Sequence, residues 1–246
     1  MARIRSILLI TIILSALATG TVALTAWTRS ADMFDLESIE FGGASRLSDQ
    51  SARALISVEK GVNIFTLDLD AIEDDMERDP RIRKVNICRR LPSTLAVAIE
   101  EREPVMLIGG ERLLALDEEG VVMPIEGAGL LDIPVLTGVH PPVEPGSGAH
   151  HLGIQKGLEI RKAVAQEAPV LWDAISEINL RQLESPRLYL TAGGAEVRLG
   201  GVDLGTQIQR LWIVLRDLAA KEAVIYMLDL RFKDQLICRS TGKSRD

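Results

Sequence analysis

Three histidines, two cysteines and one acidic run are the side chains in this sequence best placed to carry chemistry. His140, His150 and His151 fall in or beside a stretch holding Pro141, Pro142, Pro145, Gly146 and Gly148. A metal site needs ligands at fixed helical or turn spacing, such as H-x-x-x-H or paired cysteines. None of these spacings occurs, and a solvated loop accounts for all three. The acidic residues Glu73, Asp74, Asp75, Glu77 and Asp79 suit a solvated helix face better than a cation site. Cys88 falls on the polar phase of an alternating segment, and no neighbouring motif would activate its thiol. A bridge from Cys88 to Cys238 would have to join two domains and is not expected. There is no G-x-S-x-G and no S-x-x-K, so acyl-transfer chemistry lacks its nucleophile motif. Gly42-Gly43 lacks the pattern of a phosphate-binding loop. The expectation is a non-enzyme with no cofactor, no metal and no small-molecule substrate.

The elements that would carry any binding surface begin with an anchor. Residues 6 to 28 contain no charge. A helix of that length, at about 1.5 Å per residue, covers roughly 35 Å and spans a hydrocarbon core of about 30 Å. Trp27 lies where an interfacial aromatic belongs, and Arg3 and Arg5 precede the segment. The charge bias places residues 1–5 in the cytoplasm and everything after residue 28 outside it. A cleaved signal peptide is the rival, with Ala16-Leu17-Ala18 as a possible processing site. The length of the apolar stretch favours a retained anchor. The remainder is 47% apolar and 26% charged across the chain, with 4% aromatics, so its cores are aliphatic. A net charge of -7 argues against a nucleic-acid surface.

The pattern over 34–102 predicts strand, helix, helix, strand, strand. Phe34, Leu36, Ile39 and Phe41 suggest the first strand, and Gly42-Gly43 ends it. Ser48 is a candidate N-cap, with Leu55 and Ile56 on an apolar face. Asp68 or Asp70 starts a second helix through Leu69, Ile72 and Met76, with Asp70 and Glu73 as a candidate capping box. Val85 and Ile87, then Leu95, Val97 and Ile99, alternate with polar residues on either side of Leu91-Pro92-Ser93.

Residues 103–239 read as a mainly antiparallel β domain with two or more helices. Short apolar runs flank Asp117-Glu118-Glu119-Gly120. Residues 154–168 form one helix, ended by Pro169. Leu204, Ile208, Leu211, Leu215 and Leu218 stripe a second. The last strands are expected at 224–230 and 235–239, and residues 240–246 as a disordered tail. The fold class is thus α+β.

Several fragments in order carry a resemblance. They are Gly61-Val62-Asn63-Ile64-Phe65, Pro80-Arg81-Ile82, Arg89-Arg90-Leu91-Pro92-Ser93-Thr94-Leu95 and Glu101-Arg102-Glu103-Pro104-Val105. Further on come Ile133-Pro134-Val135-Leu136-Thr137-Gly138, Glu196-Val197-Arg198-Leu199-Gly200 and Leu228-Asp229-Leu230-Arg231-Phe232. The chain resembles the FtsQ/DivIB family of bacterial cell-division proteins, in which an anchor precedes a POTRA domain and a β domain. The resemblance implies a septal scaffold of the inner membrane, a component of the divisome with its folded part in the periplasm. It implies binding of FtsB, which travels with FtsL, at the end of the β domain, and further divisome contacts through the POTRA domain. Carried over, the partner-binding residues are Arg231, Phe232, Leu236, Ile237 and Cys238. Two rivals remain at this point. A POTRA-containing secretion or outer-membrane assembly component would need a barrel of alternating strands. An anchored periplasmic hydrolase would need a convergent polar site.

Overall fold

The computed structural model describes residues 2–43, 46–125, 131–148, 150–200, 203–221, 224–232 and 235–241, with 2–9, 240 and 241 described by their backbone. The chain divides into two units, Met1–Glu101 and Arg102–Asp246.

The first unit opens with helix α1, Ala2–Ser30. From Ile10 to Ser30 it is long and apolar enough to cross a membrane. Ile10, Leu14, Leu17 and Leu24 are all more than half exposed. A core helix of a water-soluble domain would bury such residues on at least one face. Strand β1 (Ser38–Gly42), helices α2 (Asp49–Ala54) and α3 (Leu69–Glu77), and strands β2 (Ile82–Arg90) and β3 (Thr94–Glu101) follow. The predicted order of elements holds, although β1 starts later than the pattern suggested. Phe34 instead ends a short 3-10 turn at Asp32–Phe34, and Leu36 bonds to Val62 across a loop. The sheet order is β1-β3-β2, with β1 parallel and β2 antiparallel to the central strand.

Alternation does its expected work in this sheet. Val85 and Ile87 of β2, with Leu95, Val97 and Ile99 of β3, are buried, while Lys84, Asn86 and Cys88 face solvent. Ser48 caps α2 by accepting from the Ser51 N–H at 3.1 Å. Asp68 caps α3 by accepting from Ala71. The Asp70–Glu73 box does not form, because Glu73 is used elsewhere.

The second unit is one nine-stranded sheet with two long helices. In chain order these are β4 (Pro104–Ile108), β5 (Leu114–Asp117), β6 (Val122–Pro124), β7 (Val135–Thr137), α4 (Leu152–Glu167), β8 (Ile175–Asn179), β9 (Arg187–Leu190), β10 (Glu196–Arg198), α5 (Leu204–Ala220), β11 (Val224–Asp229) and β12 (Ile237–Thr241). The spatial order is β12-β11-β10-β9-β8-β7-β4-β5-β6. Neighbours run antiparallel except at β10–β11, β4–β7 and β7–β8. Ile154, Ile160 and Val164 of α4 and Ile208 and Leu211 of α5 share one buried cluster with Leu136, Ile178, Leu188, Val197 and Leu228 of the sheet. A smaller cluster of Leu107, Ala115 and Met123 lies apart from it. The last strand continues to Thr241, beyond the expected boundary at Arg239. Residues 242–246 of the expected tail, and Met1, lie outside the described residues.

Candidate partner-binding edge

The five residues carried over from the resemblance all fall on the turn and strand that end the nine-stranded sheet. β11 enters this region beside β10, and Leu230 donates its N–H to the Arg198 carbonyl at 2.9 Å. Arg231 then folds back on Asp229, with Nη2 to Oδ2 at 2.7 Å and Nε to Oδ1 at 2.9 Å. Its backbone N–H also donates to Oδ1. The Arg231 hydrogen bonds hold the Asp229 carboxyl below its ordinary value, although burial of that carboxyl pushes the other way. The pair latches the exit of β11, so Arg231 spends its guanidinium on structure as well as facing solvent.

Phe232 is 48% exposed and does not enter the core. Leu236 turns inward and packs against the main cluster. Ile237 pairs with Asp229 and is 43% exposed. Cys238 pairs with Leu228, is exposed and is free. Four of the five residues therefore present side chains at the surface, and Leu236 secures the strand beneath them.

Arg210 is a residue that sequence reasoning missed. It projects from α5, and its Nη1 and Nη2 donate to the Phe232 and Gln235 carbonyls, each at 3.0 Å. This staple fixes both sides of the β11–β12 turn to the helix. Nothing in the local pattern marked it, since it occupies an ordinary polar phase of the leucine stripe. A bulge between Ile225 and Met227 adds to the local twist, with Tyr226 at 54% exposure and Val224 at 53%.

A strand at the end of a sheet turns alternate N–H and C=O groups outward, where they template pairing with another chain. The outer edges of β2 and β6 are covered. On β2, Glu77 accepts from the Val85 N–H at 2.8 Å and Glu73 from the Ile87 N–H at 2.5 Å. These carboxylates, one helical turn apart on α3, reach N–H groups two residues apart on the strand. The acidic run is thus partly a cover for a strand edge, where the sequence suggested only a solvated face. On β6, Val122 donates to the Ser147 carbonyl and accepts from the Gly146 N–H at 2.7 Å. Gly148 lets this loop lie close, because a Cβ there would meet the Gly120 carbonyl and the Val122 and Ile154 side chains at under 3 Å. The Pro/Gly-rich stretch is therefore a docked cover, with Val139 buried. On β1, Arg53 reaches the Ile39 carbonyl at 3.5 Å. Among the described residues, no loop or side chain closes the outer side of β12.

His151 caps α4, its Nδ1 accepting from the Gly153 N–H at 3.1 Å, which leaves Nε2 to donate to the Pro141 carbonyl at 3.0 Å. Among the described residues there is no cluster of three His, Cys, Asp or Glu able to hold a metal ion. Cys88 is exposed and free on β2.

Comparison with known proteins bears on both units. Residues 34–102 match the family model described as POTRA domain, FtsQ-type. Residues 107–231 match the model described as Cell division protein FtsQ/DivIB, C-terminal, which stops just short of Phe232 and β12. The chain is 36% identical over 222 residues to a Cell division protein FtsQ of Myxococcus fulvus, spanning 86% of this chain and 75% of that one. It is 30% identical over 208 residues to the FtsQ of Geotalea daltonii, covering 84% and 76% of the two chains. It is 32% identical over 223 residues to that of Rhodothermus marinus, covering 85% and 81%.

Proposed function

The chain belongs to the FtsQ/DivIB family of cell division proteins, and from that premise we propose that it is a non-catalytic divisome scaffold that captures the FtsB–FtsL pair by strand addition at β12. α1 anchors it in the inner membrane with the N-terminus in the cytoplasm, and both units stand in the periplasm at the division septum. By holding FtsB–FtsL there, it links or regulates septal peptidoglycan synthesis. The POTRA unit contributes contacts to other divisome proteins.

The observation that carries this reading is that nothing among the described residues covers the outer side of β12, beside the exposed Phe232 and Ile237. Main-chain hydrogen bonds from an added strand supply affinity there, and side chains at alternate positions supply specificity. Phe232 is an anchor type that fits a partner pocket, and Arg210 and the Asp229–Arg231 latch hold it in place before the partner arrives. A preformed edge loses less conformational freedom on binding than a flexible tail would.

The test is binding of the full-length chain in nanodiscs to the periplasmic part of FtsB and FtsL from the same cell, with Phe232→Glu alongside. Saturable binding that weakens strongly in the variant supports the reading. Binding of equal strength by both proteins removes β12 and its turn as the partner site.

A further inference from the structure

Among the described residues of the first unit, the large exposed hydrophobics beyond the helix itself are Met33 at 57%, Val62 at 37% and Leu91 at 61%. They are far apart in sequence, yet all three lie at the end of the unit from which α1 departs. Met33 is in the turn that immediately follows the helix. Val62 precedes Asn63, whose Nδ2 donates to the Thr28 carbonyl at 3.0 Å and the Ala31 carbonyl at 3.3 Å. Leu91 is in the β2–β3 turn, where the Ser93 carbonyl accepts from the Glu37 N–H at 2.9 Å, at the start of β1. The opposite end behaves differently. Among the described residues near Gly43, Leu47, Ile82 and Glu101, Leu47 and Ile82 are buried, Phe41 is partly buried against the core, and no large hydrophobic side chain stands exposed.

The junction between helix and unit is held at several points. Asn63 binds the carbonyls of Thr28, in the last turn of α1, and of Ala31, just past it, and accepts from the Phe65 N–H through Oδ1. Trp27 packs edge-on to Phe34 at 6.0 Å between ring centroids, and Phe34 to Phe65 at 5.1 Å. Trp27 and Thr28 close the uncharged stretch of the helix, at the depth where aromatic side chains meet lipid headgroups. Asn63 and Phe34 therefore share that depth, and the loop bearing Val62 is bonded directly to it.

We propose that the Met33, Val62 and Leu91 loops enter the outer headgroup layer of the membrane that α1 crosses, so that the first unit rests on the bilayer through its own apolar tips. This rests on the reading of α1 as a retained anchor. The occupant of the surface is lipid because the surface continues the membrane-contacting surface of α1. Its three tips belong to separate loops. Apolar side chains at this level gain by leaving water for the acyl boundary, and the Asn63 clamp keeps the three loops at one end together. The unit then stands at a fixed height above the bilayer instead of swinging on a linker.

The experiment places a nitroxide at single cysteines in the full-length chain carrying Cys88→Ser and Cys238→Ser. The positions are Met33→Cys, Val62→Cys and Leu91→Cys, with Leu17→Cys in the helix and Lys84→Cys on β2 as references. The protein is reconstituted in vesicles of phosphatidylethanolamine and phosphatidylglycerol, and collision with dissolved oxygen is compared with collision with a water-soluble nickel chelate. The expected result is oxygen contact several-fold above nickel contact at 17, 33, 62 and 91, with the ratio inverted at 84. Aqueous labels at 33, 62 and 91 beside a lipid-exposed label at 17 overturn the inference and leave the anchor intact. Labels shielded from both reagents overturn it in favour of a protein contact. An aqueous label at 17 removes the anchor reading and this inference with it.

Discussion

β2 of the first unit and β12 of the second both end a sheet, but their outer sides are treated in opposite ways. β2 carries a facing helix whose Glu73 and Glu77 carboxylates accept the Ile87 and Val85 N–H groups. β12 has no such cover among the described residues, and the apolar Ile237 and Phe232 stand exposed beside it. Exposed edges invite unwanted pairing, and folded proteins normally blunt them with charge, loops or short strands. β6 is blunted by its loop and β2 by its carboxylates. Among the described residues β12 keeps an uncovered edge beside a stapled, apolar turn, and this difference from β2 is why the proposed strand addition is placed there.

Each side of this contrast can be broken separately. The largest effect is expected from removing the cover of β2. Glu73→Ala with Glu77→Ala leaves two strand N–H groups without acceptors. It should lower stability by about 3 kcal/mol, at about 1–2 kcal/mol for each charge-assisted bond. Urea unfolding checks this, and a loss under about 0.5 kcal/mol would mean that the carboxylates are decoration. Phe232→Glu should weaken FtsB–FtsL binding by about 2 kcal/mol, roughly 30-fold, while leaving the unfolding midpoint unchanged because the ring is exposed. Titration calorimetry together with thermal unfolding separates those outcomes. Arg210→Ala removes two bonds to the turn carbonyls and should cost about 1 kcal/mol. It should also speed amide exchange in the β11–β12 turn, while exchange in β2 stays as before.

The smallest effect concerns pH. The folded Asp229 carboxyl sits below its unfolded value because of Arg231. Its stabilisation is therefore complete above about pH 4 and disappears as the pH falls through the folded value. Asp229→Asn should destabilise the protein at neutral pH by under about 1 kcal/mol, since Arg231 is well exposed. The difference from the unmodified chain should vanish in strong acid. Urea midpoints measured at neutral pH and below pH 3 decide the point, and a difference that persists in acid would assign the loss to something other than the ion pair.

Much of this architecture was legible in the sequence because it is written in short-range rules. The uncharged stretch from 6 to 28, the alternation around Leu91-Pro92-Ser93, the Ser48 cap and the leucine stripe of α5 each follow from neighbours along the chain. The elements that were missed depend on tertiary contact. Glu73 reads as a capping-box partner until the fold brings β2 beneath it. The Pro/Gly-rich stretch reads as solvated until Gly146 and Ser147 meet Val122. Arg210 carries no local sign of its role, because Phe232 and Gln235 reach it only through the sheet. The resemblance marks Arg231 and Phe232 alike, but Asp229 occupies the Arg231 guanidinium, which leaves Phe232 as the freer anchor of the two.

The most direct test is amide hydrogen exchange of the full-length chain in nanodiscs, with and without the periplasmic part of FtsB and FtsL. Strand addition at the open edge predicts new protection across 237–241, with none gained in β2 from 82 to 90. Protection gained in β2 or β6, with β12 exchanging as in the free protein, would contradict the account.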